Sequence, residues 1–435
     1  MRKAPDRFSP PALESIQLHR NEVKRYSCTL VTPLYGGGVS AGEVDEAMPI
    51  RVTSIRGQLR FWWRVAHRTQ FLDANRKVVS SAMFKIEREI WGGLGDSNSL
   101  AASKVDIRVV ELQKHTDPQA AAEYPKDGNG GYKTFPRWAP WVGNAGAYVL
   151  FPAQGKASKT AITQEPKRLY RPDSLSWVLE IQFRDDCSQE EQDQVHTALR
   201  WWASFGGVGG RTRRGLGAVH IQELPPVTAQ EAKDQGCTLV RQSAVRDAKE
   251  AWFRAIAAMR DFRQKPGFGR NPGSEPNRPG RSRWPEADAI RRFSGRNTRQ
   301  HAPQHPAGNI FPRAQFGMPI IFHFKDRDDP GDHTLKPEDA ERLASPIILR
   351  PYWNGSEWQP AALYLGYSRL PVILGAGRRV QAIDVWPDSE EGRQQAIHHI
   401  QPLRRINELN GNKIRTPLAA FLNYFKDPKK YTEEN

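Results

Sequence analysis

An α+β fold spread over more than one domain is what this sequence predicts, and three observations predict it. Over residues 25–224 strand-like and helix-like stretches follow one another as β-α-β-β-α-β with insertions, the ferredoxin-like order of RNA-recognition modules. A chain of 435 residues is long enough for two or three domains at roughly 100–200 residues each. Its 13 Trp, 18 Phe and 11 Tyr supply the large rings that separate cores need, while 26% charged residues leave room for exposed loops.

Residues 25–32 are rich in β-branched and aromatic types and run into Pro33-Leu34-Tyr35-Gly36-Gly37-Gly38, a strand followed by a glycine loop. From Ser54 to Arg68, Ile55, Leu59, Trp62, Trp63 and Ala66 recur at helical spacing, whereas Arg56, Arg60, Arg64 and Arg68 step by four along an adjoining face. One face packs and its neighbour offers charge. Trp62 and Trp63 both fall on the packing arc, so core packing is their first expected role and base stacking the second. Residues 105–112 and 176–183 alternate or cluster as strands do. Ser188 and Glu191 make a capping box ahead of the stripe Val195, Ala198, Leu199, Trp202 and Phe205, and this helix stops at Gly206. A glycine–arginine loop at 206–217 and a strand near 218–223 complete the first unit. Trp91-Gly92-Gly93-Leu94-Gly95 echoes Phe205-Gly206-Gly207-Val208-Gly209, a weak internal repeat.

A second domain begins near residue 240, where Val245, Ala248, Trp252, Ile256 and Met259 share a helical face within 243–262. Between Arg260 and Arg299, ten Arg, five Pro and five Gly stand against four acids, a composition expected to stay extended and to bury no core. Strand patterns return at 318–324, 346–352 and 361–367. Thr416 and Pro417 read as N-cap and first position of a last helix with Leu418, Phe421, Leu422 and Phe425, after which the tail beyond Asp427 is expected to fray. The division is therefore an N-terminal extension at 1–24, a first domain at 25–239 and a second at 240–435 carrying an insertion at about 260–310.

Charge narrows the partners. Lys and Arg number 64 against 48 acids, a net charge of +16, and 44 of the 64 are Arg, the side chain suited to bidentate phosphate recognition. A polyanionic partner, nucleic acid first, follows from counterion release. Met1 to Arg20 has no apolar core and no run of about 18 apolar residues occurs, so neither secretion nor a membrane span is expected. Cys28, Cys187 and Cys237 are isolated and form no CxxC, which points to a reducing cytoplasm and to no Cys-based metal site.

The strongest motif is Phe205-Gly206-Gly207-Val208-Gly209-Gly210-Arg211-Thr212-Arg213-Arg214-Gly215-Leu216-Gly217. Six glycines among the twelve residues 206–217 let backbone approach a ligand, and three arginines supply charge where a sugar–phosphate chain would lie. It is not a nucleotide P-loop, because Gly-Lys-Ser/Thr is missing and the loop runs from helix to strand. The bland reading is a glycine C-cap with a solvated basic turn.

This loop resembles the signature glycine-rich loop of RAMP proteins, RNA-binding subunits of CRISPR effector complexes. The run Thr32 to Gly38 followed by Ile50-Arg51-Val52-Thr53-Ser54-Ile55-Arg56-Gly57-Gln58-Leu59-Arg60-Phe61-Trp62-Trp63-Arg64 is similar to the first subunit of the type III-B (Cmr) complex. The resemblance covers about residues 25–224, is weaker at Ser345-Pro346 and is absent from 260–310. It implies two ferredoxin-like (RRM-like) domains packed around a basic cleft, and a non-catalytic subunit at the guide RNA 3′ end that helps capture complementary target RNA for antiviral defence. Its partners would be guide RNA, target RNA, other RAMP subunits and the large subunit. Gly36, Gly37, Gly38, Arg56, Arg60 and Arg64 are expected to form one side of the RNA groove, and Gly209, Gly210, Arg211, Thr212, Arg213 and Arg214 the other.

An endoribonuclease that processes guide RNA or cuts target is the alternative. Metal-dependent cleavage would draw on Glu43, Asp45 and Glu46, and metal-free cleavage on His67. His301 and His305 have a zinc-compatible step without further ligands, His398-His399 lack partners, and Asp326, Asp328, Asp329 and Asp332 match a calcium loop only in acidity. No catalytic residue, metal or cofactor is expected. Phe262, Phe268, Trp284 and Phe293 could stack on bases while Arg270, Arg278, Arg281 and Arg283 neutralise phosphates, or the insertion could dock on a neighbouring subunit.

Overall fold

The first strand, β1 (Val23–Leu30), forms where β-branched and aromatic residues were densest, and it lies in the middle of a four-stranded sheet. This computed structural model describes residues 22–432 apart from 95–99, 274–279, 299–300, 325, 368 and 378. Most of the expected extension at 1–24 lies outside the described residues, as do Gly95 of the internal echo and Arg278 and Arg299 of the arginine-rich stretch.

After β1 come α1 (Val52–His67), α2 (Ser80–Trp91), β2 (Val105–Lys114), α3 (Gly143–Leu150), β3 (Leu175–Phe183), α4 (Gln189–Phe205) and β4 (Val219–Ile221). The sheet order is β4-β1-β3-β2 with every pair antiparallel, and Cys28 sits opposite Trp177 on β3 and Ile221 on β4. Alternation along β3 is strict: Leu175, Trp177, Leu179, Ile181 and Phe183 are all buried. Helices α1 and α4 pack together on that face through Ile55, Leu59, Trp62, Trp63, Leu199 and Trp202. Trp62 and Trp63 are 1% and 0% exposed, so their role is core packing. The capping box of α4 is formed, with Glu191 N–H donating to Ser188 Oγ at 3.3 Å and Ser188 N–H donating to Glu191 at 2.8 Å.

The second half opens with β5 (Thr238–Arg241) and α5 (Ala248–Gln264), followed by α6 (Glu286–Ser294), β6 (Ile320–Phe322), β7 (His333–Pro337), β8 (Ile347–Trp353), β9 (Trp358–Tyr364), β10 (Val372–Ala376) and β11 (Arg379–Ile383). Helices α7 (Glu390–His399), α8 (Gln401–Leu409) and α9 (Pro417–Lys426) close the chain, α9 beginning with Thr416 Oγ1 accepting from Ala419 N–H. A three-stranded antiparallel sheet runs β5-β9-β8, and a four-stranded one runs β6-β7-β10-β11. Strand β8 is buried on both sides. Ile347 and Leu349 belong to the core with α5 and α9, whereas Ile348 and Tyr352 belong to the core with α1 and α4. One strand is thus a wall shared by two cores. Among the described residues no helix is long and apolar enough to cross a membrane.

Three expectations need correction. The stretch 260–299 does not stay extended: α5 runs on to Gln264, α6 forms, and Phe262, Phe268 and Trp284 are 0%, 3% and 1% exposed in the second core. Phe262 packs against Trp284 and Phe316 with tilted rings, Phe268 stacks on Tyr424, and Phe293 stacks on Phe311 at 6.4 Å. Composition averages over the segment, whereas folding needs only a few large rings placed where a core can take them. The tail past Asp427 also folds, since Lys429–Thr432 is helical and Tyr431 is buried. Finally, the charged face of α1 is partly neutralised within the molecule. Helix α2 lies against it, and Glu87 of α2, 1% exposed, accepts from Arg60 Nε at 2.6 Å and Arg64 Nη1 at 2.7 Å.

A buried carboxylate that loses its cations becomes an unpaired charge. Replacing both Arg60 and Arg64 with Ala is expected to lower folding stability by about 3 kcal/mol, read by urea denaturation. An unchanged midpoint would mean that Glu87 needs neither guanidinium.

Candidate functional site

The glycine–arginine loop is held between the two halves of the molecule. Val208 N–H donates to Gly217 O at 2.8 Å, Gly210 N–H to Tyr35 O at 2.6 Å and Gly217 N–H to Pro33 O at 2.8 Å, so the loop is laced to the Thr32–Gly38 segment. Glycine is required at the closest approach. A Cβ on Gly217, which has φ +63°, would fall 1.8 Å from Val208 O, and one on Gly209, φ +73°, would fall 2.5 Å from Leu34 Cδ1. Gly37 lies against Gly209, since its added Cβ would sit 3.5 Å from Gly209 Cα. The structure therefore brings Gly36 and Gly37 together with Gly209 and Gly210, whereas Gly38 turns to Glu43, donating its N–H to Glu43 O at 2.8 Å.

Thr212–Arg214 makes one 3-10 turn after Arg211, whose φ of +58° is left-handed. The Arg213 guanidinium donates to Ser345 O and stands over the Phe61 ring at 5.6 Å. Arg214 donates to Ser345 Oγ at 3.2 Å and to Phe316 O at 3.2 Å. Arg211 donates to Val149 O at 3.2 Å and stands over Phe151 at 5.2 Å. Burial pushes the Arg214 guanidinium down to about 10, and it lowers Arg211 and Arg213 in the same direction. All three remain cations at neutral pH.

These arginines form one wall of a cleft of about 1050 Å³. The facing wall comes from the arginine-rich segment and from residues around β6, with Arg263, Arg270, Arg281, Arg291 and Arg313. The last three are neutralised: Arg281 pairs with Asp288, Arg291 with Asp288 at 3.1 Å and Asp329 at 2.9 Å, and Arg313 with Glu286 at 3.0 Å. Arg211, Arg213, Arg214, Arg263 and Arg270 have no salt bridge to a described carboxylate. Arg263 donates to Tyr148 Oη at 3.1 Å and Arg270 to Gln264 Oε1 at 3.4 Å, neutral partners that leave the charge intact. Five uncompensated guanidiniums around one cleft, with the half-exposed Phe151 ring beside Arg211, make a surface for an anion that also carries flat rings.

The helix arginines are elsewhere engaged. Arg56 donates to Trp91 O, and Arg60 and Arg64 hold Glu87, so none of the three lines this cleft. Arg263 belongs to the cleft without having been singled out from the sequence. Its signal was present in the local density of arginine, but only the fold separates it from neighbours that are paired.

Two of the candidate nuclease carboxylates are paired, and His67 Nε2 is buried without a hydrogen-bond partner. Asp45 binds Arg51 at 2.5 Å and accepts from Ala47 and Met48 N–H, and Glu43 binds Lys167 at 2.6 Å. His67 is 7% exposed, stacks on Trp63 at 5.5 Å, and is shifted down by burial. His301 and His305 do not converge. His305 faces Arg283 O at 3.1 Å, whereas His301 Nδ1 lies 3.0 Å from Asp326 and 3.4 Å from Asp329. This His301–Asp326–Asp329 grouping is the one among the described residues that has three donors close enough for an ion. Asp329 is 4% exposed, and both of its oxygens are already held by Arg291.

Residues 27–220 match the RAMP superfamily. Cmr1 from Pyrococcus furiosus in its apo form is similar at 14% identity over 80% of this chain and 89% of that one, with a TM-score of 0.40. A chain of the type III-B Cmr-beta complex bound to cognate target RNA is similar at 10% identity over 80% and 96%, TM-score 0.41, and one of a type IV-B CRISPR complex at 12% over 46% and 89%, TM-score 0.28. No curated protein matches the sequence.

Gly217→Ala is expected to destabilise the protein by on the order of 4 kcal/mol, measured by thermal or urea unfolding, because the overlap is with backbone that cannot rotate away. For Asp288 and Asp329, burial alone would raise the carboxyls, but the Gln304 N–H and Arg281 in one case and Arg291 in the other outweigh it and hold both below the ordinary range. A depressed native value stabilises the fold above the unfolded value near 3.9, and that contribution fades as pH falls through the native value. Acid titration below about pH 4 should therefore loosen the insertion, followed by Trp284 fluorescence in a variant that isolates it; no change down to pH 2 would contradict the pairing.

Proposed function

Because residues 27–220 match the RAMP superfamily, we propose that this chain is a non-catalytic, RNA-binding subunit of a type III-B CRISPR (Cmr) interference complex. The observation that carries the reading is the cleft, where five arginines without carboxylate partners surround a groove edged by the glycine loop. An RNA backbone supplies the missing counter-charges, and the released counterions drive binding with little dependence on base sequence. In this reading the chain sits at the 3′ end of guide RNA in the cytoplasm and helps capture complementary target RNA for antiviral defence. Neighbouring RAMP subunits and the large subunit complete the assembly.

The topology supports a ferredoxin-like first unit, since four antiparallel strands in the spatial order fourth-first-third-second with α1 and α4 on one face are what β-α-β-β-α-β connectivity produces. The β5-β9-β8 sheet with α5 packed on it supports a second, three-stranded version. The basic cleft is formed by the loop that leaves the first unit and the segment inserted in the second.

The test is a titration of the full chain with labelled single-stranded RNA at several salt concentrations, with cleavage followed in the same tubes with and without Mg²⁺. Binding without cutting, with a steep salt slope, is expected. The pair Arg263→Glu and Arg270→Glu should weaken binding at least about tenfold and reduce the salt slope by about 2. Binding as tight as wild type would remove the cleft from the RNA path, and site-specific cutting would make the chain a nuclease.

A further inference from the structure

A second cavity, of about 580 Å³, opens on the other side of α3 and α5. It is walled by Trp141 and Trp358, with His220 behind Trp358 at 5.1 Å between ring centroids. Arg171, Asp173 and Lys249 stand at its rim. Asp247, also in the lining, accepts from Glu250 N–H at 2.7 Å and pairs with Arg246, whereas neither the Arg171 nor the Lys249 side chain makes a hydrogen bond or salt bridge to a described residue, the Asp173 carboxylate accepts from none although both cations lie near enough to act on it, and neither indole N–H donates to one. Asp173 is moreover held at φ +59°, a left-handed conformation that a non-glycine residue adopts at some cost and that recurs where a side chain must be aimed. Its amide anchors it by donating to Leu30 O at 2.7 Å.

The position of this cavity relates it to the arginine cleft. Helices α3 and α5 run side by side in the same direction, because Gly143 meets Phe253 near their starts and Tyr148 Oη accepts from Arg263 near their ends. Trp141 and Lys249 lie at the starting end, in the cavity, while Phe151 and Arg263 lie at the finishing end, in the cleft. At 1.5 Å rise per residue the two mouths are about 15–20 Å apart, a span that a strand stacked at about 3.4 Å per nucleotide crosses in roughly five nucleotides.

We propose that the cavity is a base pocket for the same RNA strand, taking one unstacked base that carries an exocyclic amino group. The indoles of Trp141 and Trp358 would supply the stacking surface, Asp173 would accept from the amino group, and Arg171 with Lys249 would meet the flanking phosphates. Uracil, which has no exocyclic amino donor, fits least well. This specificity rests on the reading of the cleft as an RNA path, and it adds a base preference that backbone contacts alone do not provide.

The experiment titrates the full chain with labelled oligo(C) and oligo(U) of twelve nucleotides. Wild type is expected to bind oligo(C) several-fold more tightly. Trp141→Ala should weaken oligo(C) binding about tenfold, with Trp141→Phe restoring most of it, and Asp173→Gly, which suits the left-handed backbone, should erase the preference for C over U. Arg263→Glu with Arg270→Glu should weaken both oligonucleotides equally and leave the preference in place. If the cleft variants lose affinity while the Trp141 and Asp173 variants behave as wild type, the base pocket is overturned and the cleft reading stands. If the pocket variants lose affinity and the cleft variants do not, the cleft reading fails instead. Cytidine monophosphate provides the last arm: its binding, abolished by Trp141→Ala with RNA affinity unchanged, would assign the cavity to a free nucleotide and overturn the RNA subsite.

Discussion

Two guanidiniums buried in the seam between the halves of this protein set the terms for everything around them. Arg350, on the strand shared by both cores, is 2% exposed and donates to Gly206 O at 2.7 Å and to Val219 O at 3.1 Å. Those two carbonyls bracket the glycine loop, so a single side chain from the second sheet fixes both ends of a loop that belongs to the first. Burial pushes Arg350 down to about 9 and Arg214 to about 10, yet carbonyl dipoles rather than carboxylates surround them. Breaking such contacts would strand a charge in a dry environment, a penalty of several kcal/mol. The loop is consequently held at both ends, and the glycines in it serve close approach between backbones.

That choice of partner has a functional consequence. A carboxylate would have cancelled the charge; a carbonyl ligates it and leaves the positive field in place. The cleft beside the loop inherits this field, whereas on the opposite wall Asp288, Asp329 and Glu286 cancel the arginines that build the scaffold. Both paired and unpaired arginines line the groove, but only the unpaired ones leave their charge uncancelled. The division between neutralised and uncompensated cations follows from where the acids fall.

Much of the architecture was legible in the sequence because its signals are local. The capping box at Ser188 and Glu191, the stripe on α4, the strand at β3 and the N-cap at Thr416 each depend on residues within a turn or two of one another. The adjacency of the Gly36–Gly38 and Gly206–Gly217 segments was also within reach, since strand-end and helix-end loops meet in this connectivity. The partners of the helix arginines were not legible, for the opposite reason. Their i, i+4 spacing reads as an open charged face until Glu87, which lies on α2, is brought over it by a packing decision that no periodicity in α1 records.

The same distinction separates what the chain's composition could say of the insertion from what it could not. Ten arginines and five prolines raise the expectation of an extended loop, but whether Phe262, Phe268 and Trp284 find a core depends on α9 and on the turn before β6, which approach only in three dimensions. Local pattern, charge excess and the glycine loop were determined by sequence alone, and they pointed to the class of fold and of ligand. The tertiary structure alone decided which arginines keep an unbalanced charge, because pairing is a property of distance, and partners such as Arg291 and Asp329 stand 38 positions apart in the chain.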